Sequence, residues 1–275
     1  MGVNLALKKL DALVENGKER RPIYTLGPVI HNPQVLEEYA RMGVHVADSV
    51  EDIPPEAIVV IRAHGVPRDV MERLRRLRIH IVDATCPKVK KAQLLIEQQA
   101  REGRILLLYG EESHPEVKGL ISYADAGAVV FDRKEKLFDL DLSPGKRYCL
   151  AAQTTQDRDI FLEIADALSS RPDLDVAVLQ TICDATKERQ EETVSIARDV
   201  DFMVVVGGYE SGNTRRLAHV VSTQDKPCLH VETARELPLG KLRAYSKIGL
   251  TGGASTPKKL IDEIQEILEN DPDHS

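Results

Sequence analysis

Short aliphatic and β-branched runs recur along the chain, each closed by a polar turn and followed by a stretch with helical spacing. Ile23–Leu26, Val44–Val46, Ala57–Ile61, Ile79–Val82, Ile105–Tyr109, Val176–Leu179 and Phe202–Val206 are such runs. At the start of the chain Val3, Ala6, Leu7, Leu10, Leu13 and Val14 mark one face of a helix. This alternation predicts an α/β fold built on parallel sheets. No apolar run approaches the ~20 residues needed to span a bilayer. Met1 leads directly into the amphipathic pattern with no apolar leader, which predicts a cytoplasmic protein without a membrane segment.

The pattern repeats. Asp83-Ala84-Thr85-Cys86-Pro87 and Gln180-Thr181-Ile182-Cys183-Asp184 both close a strand and open a polar helix. His114 lies 28 residues after Cys86, and Ser211 lies 28 after Cys183. A further polar turn follows in each case, Gln153-Thr154-Thr155 and Ala254-Ser255-Thr256. The first third has matching turns at His31-Asn32-Pro33 and His64-Gly65-Val66-Pro67. Counting back from these turns predicts a cysteine immediately before Met1, with a strand ahead of it. The reading is therefore three pseudo-symmetric α/β units, residues 1–85, 86–182 and 183–275, with the first lacking its leading strand and one sheet a strand short. Ligands of parallel sheets gather beyond the carboxyl ends of the strands. All these turns lie at such ends and are expected to face one centre.

Composition narrows the chemistry. Thirty-seven Lys and Arg against 44 Asp and Glu give a net charge of −7, which offers no electrostatic footprint for nucleic acid. Aromatic residues make up 4% of the chain, with no Trp, too few for base-stacking platforms. Cys86 and Cys183, at matched turns before helix N-termini, suit thiolate ligands of an iron-sulfur cluster. Taken singly, each also fits as a small buried hydrophobe. Cys149 and Cys228 fall inside strands and are assigned to the core. His31, His64, His114, Thr154, Ser211, Asn213 and Ser255 form a set of neutral donors suited to a diphosphate, although such residues also serve as ordinary caps and turn formers. Glu116 is a candidate proton donor, or simply an acid in the first turn of a helix. His45, His80 and His230 are given structural roles.

The ordered phrases His31-Asn32, Ala63-His64-Gly65-Val66, Asp83-Ala84-Thr85-Cys86-Pro87, Ser113-His114-Pro115-Glu116, Gln153-Thr154-Thr155, Ile182-Cys183, Ser211-Gly212-Asn213-Thr214 and Gly253-Ala254-Ser255 closely resemble the LytB/IspH family of 4-hydroxy-3-methylbut-2-enyl diphosphate reductases. The resemblance implies three α/β domains around a 4Fe-4S cluster. Cys86 and Cys183 match two of its three ligands. His31, His64, Ser211, Asn213 and Ser255 match diphosphate contacts, Glu116 matches the proton donor, and His114 and Thr154 match its helpers. It further implies electrons delivered singly by ferredoxin or flavodoxin. The family's first cysteine belongs to a Gly-Phe-Cys-x-Gly-Val phrase, and this sequence opens at x with Met1-Gly2-Val3. The preferred reading of that opening is an internally assigned start codon; the alternative is genuine loss of the cysteine, for which cluster assembly and activity are expected to fail. The competing class is a cluster-free diphosphate-binding homologue. A zinc hydrolase fits less well, because no Cys-x-x-Cys or His-Glu-x-x-His spacing occurs.

Overall fold

In a computed structural model, residues 2–15 and 21–271 are described; Met1 and the cysteine expected before it lie outside them. The chain builds three parallel sheets. Leading into the first is α1 (Gly2–Glu15), which turns Ala6 and Leu10, one helical turn apart, into the interior. Then come β1 (Ile23–Leu26), α2 (Pro33–Arg41), β2 (Val44–Ala47), β3 (Ile58–Ile61), α3 (Arg68–Arg76) and β4 (His80–Asp83). Their strands lie in the order β2-β1-β3-β4. All four residues of β3 are buried, as its Ile-Val-Val-Ile run requires of a strand covered on both faces.

The second sheet follows α4 (Pro87–Arg101) through β5 (Ile105–Tyr109), α5 (Pro115–Ile121), β6 (Ala128–Phe131), α6 (Lys134–Phe138), β7 (Arg147–Ala152), α7 (Arg158–Ser169) and β8 (Asp175–Val178). It repeats the same order as β6-β5-β7-β8. The third follows α8 (Asp184–Asp199) through β9 (Phe202–Val206), α9 (Gly212–Ser222), β10 (Cys228–Val231), α10 (Leu239–Leu242), β11 (Ile248–Gly252) and α11 (Lys258–Glu269). Among the described residues it has three strands, β10-β9-β11. Every pairing in the three sheets is parallel.

The three-stranded sheet is the third; the sequence reading expected one sheet a strand short without assigning which. The strand leading into a cysteine turn belongs to the sheet before that turn: β4 pairs with β3 and β8 with β7. The chain divides into two compact units. One holds the residues up to Val29 together with Tyr39–Cys183, and so both four-stranded sheets; the other holds Ile30–Glu38 and the chain from Asp184 on. Among the described residues no helix is long and apolar enough to cross a membrane.

Candidate active site

In the first unit, the turns beyond β3 and β4 run side by side. Ala84 N–H donates to the Ile61 carbonyl at 3.0 Å, and Cys86 N–H donates to the Ala63 carbonyl at 2.9 Å. The second sheet repeats this arrangement, with Leu179 N–H on the Leu150 carbonyl at 2.8 Å and Cys183 N–H on the Thr154 carbonyl at 3.0 Å. Between those two bonds the Thr181 hydroxyl accepts from Ala152 N–H at 2.8 Å and donates to its carbonyl at 2.7 Å. The two cysteines are thus held the same way, by backbone bonds that leave their thiols unused.

Cys86 is the N-cap of α4, with Pro87 at the first helical position; Cys183 stands immediately before α8. Both are half-buried, as is Cys228, whereas Cys149 is fully buried. Burial pushes the Cys149 and Cys228 thiols up to about 11. A third feature meets Cys86. A Cβ on Gly2 would lie 2.7 Å from Cys86 Cβ and 3.0 Å from its Sγ. Only glycine lets α1 begin against this sulfur, so the N-termini of α1 and α4 both favour negative charge there.

A continuous series of contacts joins the two cysteine turns. Next to Ala63, the His64 ring meets the His114 ring edge-on, with centroids 5.1 Å apart. His114 is the N-cap of α5, and its Nδ1 accepts from Glu116 N–H at 3.1 Å. That bond requires the neutral imidazole carrying its proton on Nε2. The Glu116 carboxylate accepts from Thr154 N–H at 2.6 Å and from Thr154 Oγ1 at 3.1 Å. Thr154 in turn receives Cys183 N–H on its carbonyl. Glu116 is almost fully buried, at 1% exposure. Burial pushes its carboxyl above the usual carboxylate range, and the two Thr154 bonds pull only partly the other way. The result is an acid disposed to keep its proton and tied to a hydroxyl that can pass one on.

The second unit holds the remaining predicted residues. Ser211 caps α9, its Oγ accepting from Thr214 N–H at 3.4 Å and lying 3.3 Å from Ser255 Oγ. The turn beyond β11 that carries Ser255 is fixed by Thr256 Oγ1 on the Val206 carbonyl at 2.7 Å and by Gly253 N–H on the same carbonyl at 3.0 Å. His31 lies against the turn beyond β9, since any Cβ on Gly208 would overlap the His31 carbonyl. Asn32 Oδ1 accepts from Val35 N–H at 3.0 Å and so closes the first turn of α2.

Asn213 Nδ2, Thr214 Oγ1 and Gln190 Nε2 are buried with no hydrogen-bond partner. Such orphaned groups are costly unless a ligand satisfies them. Of these, sequence reasoning gave a role to Asn213 alone. Thr214 stands in the Ser211-Gly212-Asn213-Thr214 phrase, and Gln190 in Arg189-Gln190 after Cys183, without a role; their burial without partners sets them apart. The predicted site residues therefore fall into two sets. Cys86, Cys183, His64, His114, Glu116 and Thr154 are linked within the first unit, and His31, Ser211, Asn213 and Ser255 belong to the second.

The family model described as LytB protein matches residues 1–269. A protein of Solidesulfovibrio magneticus named 4-hydroxy-3-methylbut-2-enyl diphosphate reductase is 56% identical, the match covering 98% of this chain and 96% of that protein. A namesake from Clostridioides difficile is 36% identical, covering 98% and 95%. The structure of the E-1-hydroxy-2-methyl-but-2-enyl-4-diphosphate reductase from Plasmodium falciparum matches with a TM-score of 0.92 at 26% identity, covering 99% of this chain and 86% of that one. A second solved structure, titled as the terminal enzyme of the non-mevalonate pathway, matches with a TM-score of 0.69 at 34% identity, covering 98% and 95%. With a family match across nearly all of its length and relatives of more than half identity, the chain belongs to the LytB family.

Proposed function

We propose that the protein is a 4-hydroxy-3-methylbut-2-enyl diphosphate reductase, which adds two electrons and two protons to its substrate and releases water with isopentenyl and dimethylallyl diphosphates. The observation that carries this reading is the buried Glu116 carboxyl, connected through Thr154 to the Cys183 turn and through His114 and His64 to the Cys86 turn. The relatives' shared name supports the same reaction.

A 4Fe-4S cluster, when held by Cys86 and Cys183 and a third ligand, supplies the electrons and a Lewis-acidic iron. The two half-buried thiols, with Gly2 leaving room at the Cys86 sulfur, fit two of its ligands. Glu116 gives its proton to the departing hydroxyl, and burial keeps it protonated until that step. Thr154 Oγ1 holds the hydroxyl in line with the carboxyl. His114, neutral with its proton on Nε2, donates without adding charge. In the second unit Ser211, Ser255, Asn213 and His31 serve the diphosphate, whose oxygens give the orphaned Asn213 amide its missing acceptor.

The second reading is a cluster-free diphosphate binder. Anaerobic purification separates the two. The reductase is brown, with broad absorbance near about 400 nm, and turns over substrate with dithionite. Colourless protein that still binds inorganic pyrophosphate is the binder.

A further inference from the structure

The chain carries a net charge of −7, yet residues 68–101 hold nine Lys and Arg against four Asp and Glu. This excess lies on α3, on α4 and on the segment between them. On α4 the exposed residues are Pro87, Lys90, Lys91, Leu94, Gln98 and Arg101. Steps of three and four place them on one stripe of the helix. Leu94, at its middle, is 64% exposed, more than any other exposed large hydrophobic side chain among the described residues. The stripe starts one residue from Cys86.

Helix α3 extends the same surface. Its Arg68 pairs with Glu97 of α4 at 2.5 Å and lies over the Tyr123 ring, 4.9 Å from its centre. Arg75, Arg76 and Arg78 are exposed, as is Leu77 at 52%. Part of the charge is neutralised by pairs of Asp83 with Lys90 at 2.6 Å, Glu97 with Arg101 at 3.1 Å, Glu72 with Arg76 at 3.5 Å and Asp125 with Arg68 at 3.0 Å.

The repeat supplies an internal control. Helix α8 follows Cys183 as α4 follows Cys86, yet its exposed residues include Asp184, Glu188, Glu191 and Glu192. Helix α1 exposes a mixed set, Asn4, Lys8, Asp11 and Glu15. Of these three helices, among the described residues, α4 alone joins positive charge to an exposed large apolar side chain. That combination suits a small transient interface, in which charge steers the encounter and little area is buried.

We infer that the α4 stripe, flanked by α3, is the docking surface for a small acidic one-electron carrier protein. The inference rests on the reading of Cys86 as a ligand of the redox centre. Each docking oxidises the carrier by one electron and reduces the enzyme by one, so two dockings serve one substrate. The protons come from Glu116 and solvent.

The test uses the cluster-loaded protein and an acidic bacterial ferredoxin, with Kd measured by calorimetry at low and high salt. Lys91→Glu combined with Arg78→Glu is expected to weaken binding at least tenfold and flatten its salt dependence. Dithionite-driven turnover should be unchanged, because a small reductant needs no docking surface. Leu94→Asp should weaken binding similarly, and carboxyl-to-amine cross-linking should join Lys91 to the ferredoxin. Glu188→Lys with Glu191→Lys on α8 should leave Kd unaltered or tighter. An unchanged Kd in both the charge variant and Leu94→Asp would overturn the inference, as would a loss of binding confined to the α8 variant. Absence of both the chromophore and dithionite-driven turnover from the unsubstituted protein would instead remove the reductase reading, and this inference with it.

Discussion

Glu116 shows how the surroundings of a single residue change its acidity. In sequence it is the second residue of α5, where an acid ordinarily faces solvent and favours the helix dipole. Here its N–H is taken by His114, its carboxylate by Thr154, and water is excluded. Glu116→Gln keeps the shape and removes the proton, so kcat should fall by roughly 10²- to 10⁴-fold with the visible spectrum unchanged. Near-normal turnover would end its role as acid. The same burial makes a prediction about stability. Because the folded state raises this carboxyl's pKa, it binds the proton more tightly than the unfolded chain does. The associated stabilisation is complete below the unfolded carboxyl pKa, near about 4.3, and is lost as pH rises through the higher folded value. Thermal unfolding from about pH 4 to pH 8 should therefore show a larger relative loss of Tm in the unsubstituted protein than in Glu116→Gln. Parallel Tm profiles would mean that burial does not hold this group neutral.

At the scale of elements, the turns do the work and the strands position them. Ser211 both caps α9 and faces Ser255 across the third sheet's turns. Ser211→Ala should cost about 1 kcal/mol of stability through the lost cap, and it should also weaken inorganic pyrophosphate binding measured by calorimetry. Loss of stability with unchanged pyrophosphate affinity would leave Ser211 a cap alone. The strands were legible in sequence because parallel strands covered on both faces are continuous apolar runs; β1 and β5 coincide with theirs. Elsewhere tertiary pairing moved the edges. Ile79 is apolar but bonds back to Leu74 of α3 at 3.4 Å, so β4 starts at His80, paired with Ile58. The polar turns were legible because they recur at similar distances from each cysteine. Gly2 and Gly208 gave no comparable signal, since what they accommodate, the Cys86 sulfur and the His31 carbonyl, comes from distant parts of the chain. Gln190 and Thr214 stood in motif phrases without a role, because an unsatisfied donor is a property of packing.

At the scale of the whole molecule, three parallel sheets carry similar turns at equivalent ends, and the two cysteine turns of the first unit are built from the same backbone bonds. Equivalent construction with unequal surface charge is what distinguishes α4 from α8. The four cysteines provide the most direct test of the central claim, that Cys86 and Cys183 hold one iron-sulfur centre while Cys149 and Cys228 are packing residues. Iron, acid-labile sulfide and visible absorption should be measured on anaerobically purified protein and on the four single Cys→Ser variants. Cys86→Ser and Cys183→Ser should each lose the chromophore, and Cys149→Ser and Cys228→Ser should keep it if folded, as judged by circular dichroism. Full iron and sulfide content in Cys86→Ser or Cys183→Ser would contradict the claim.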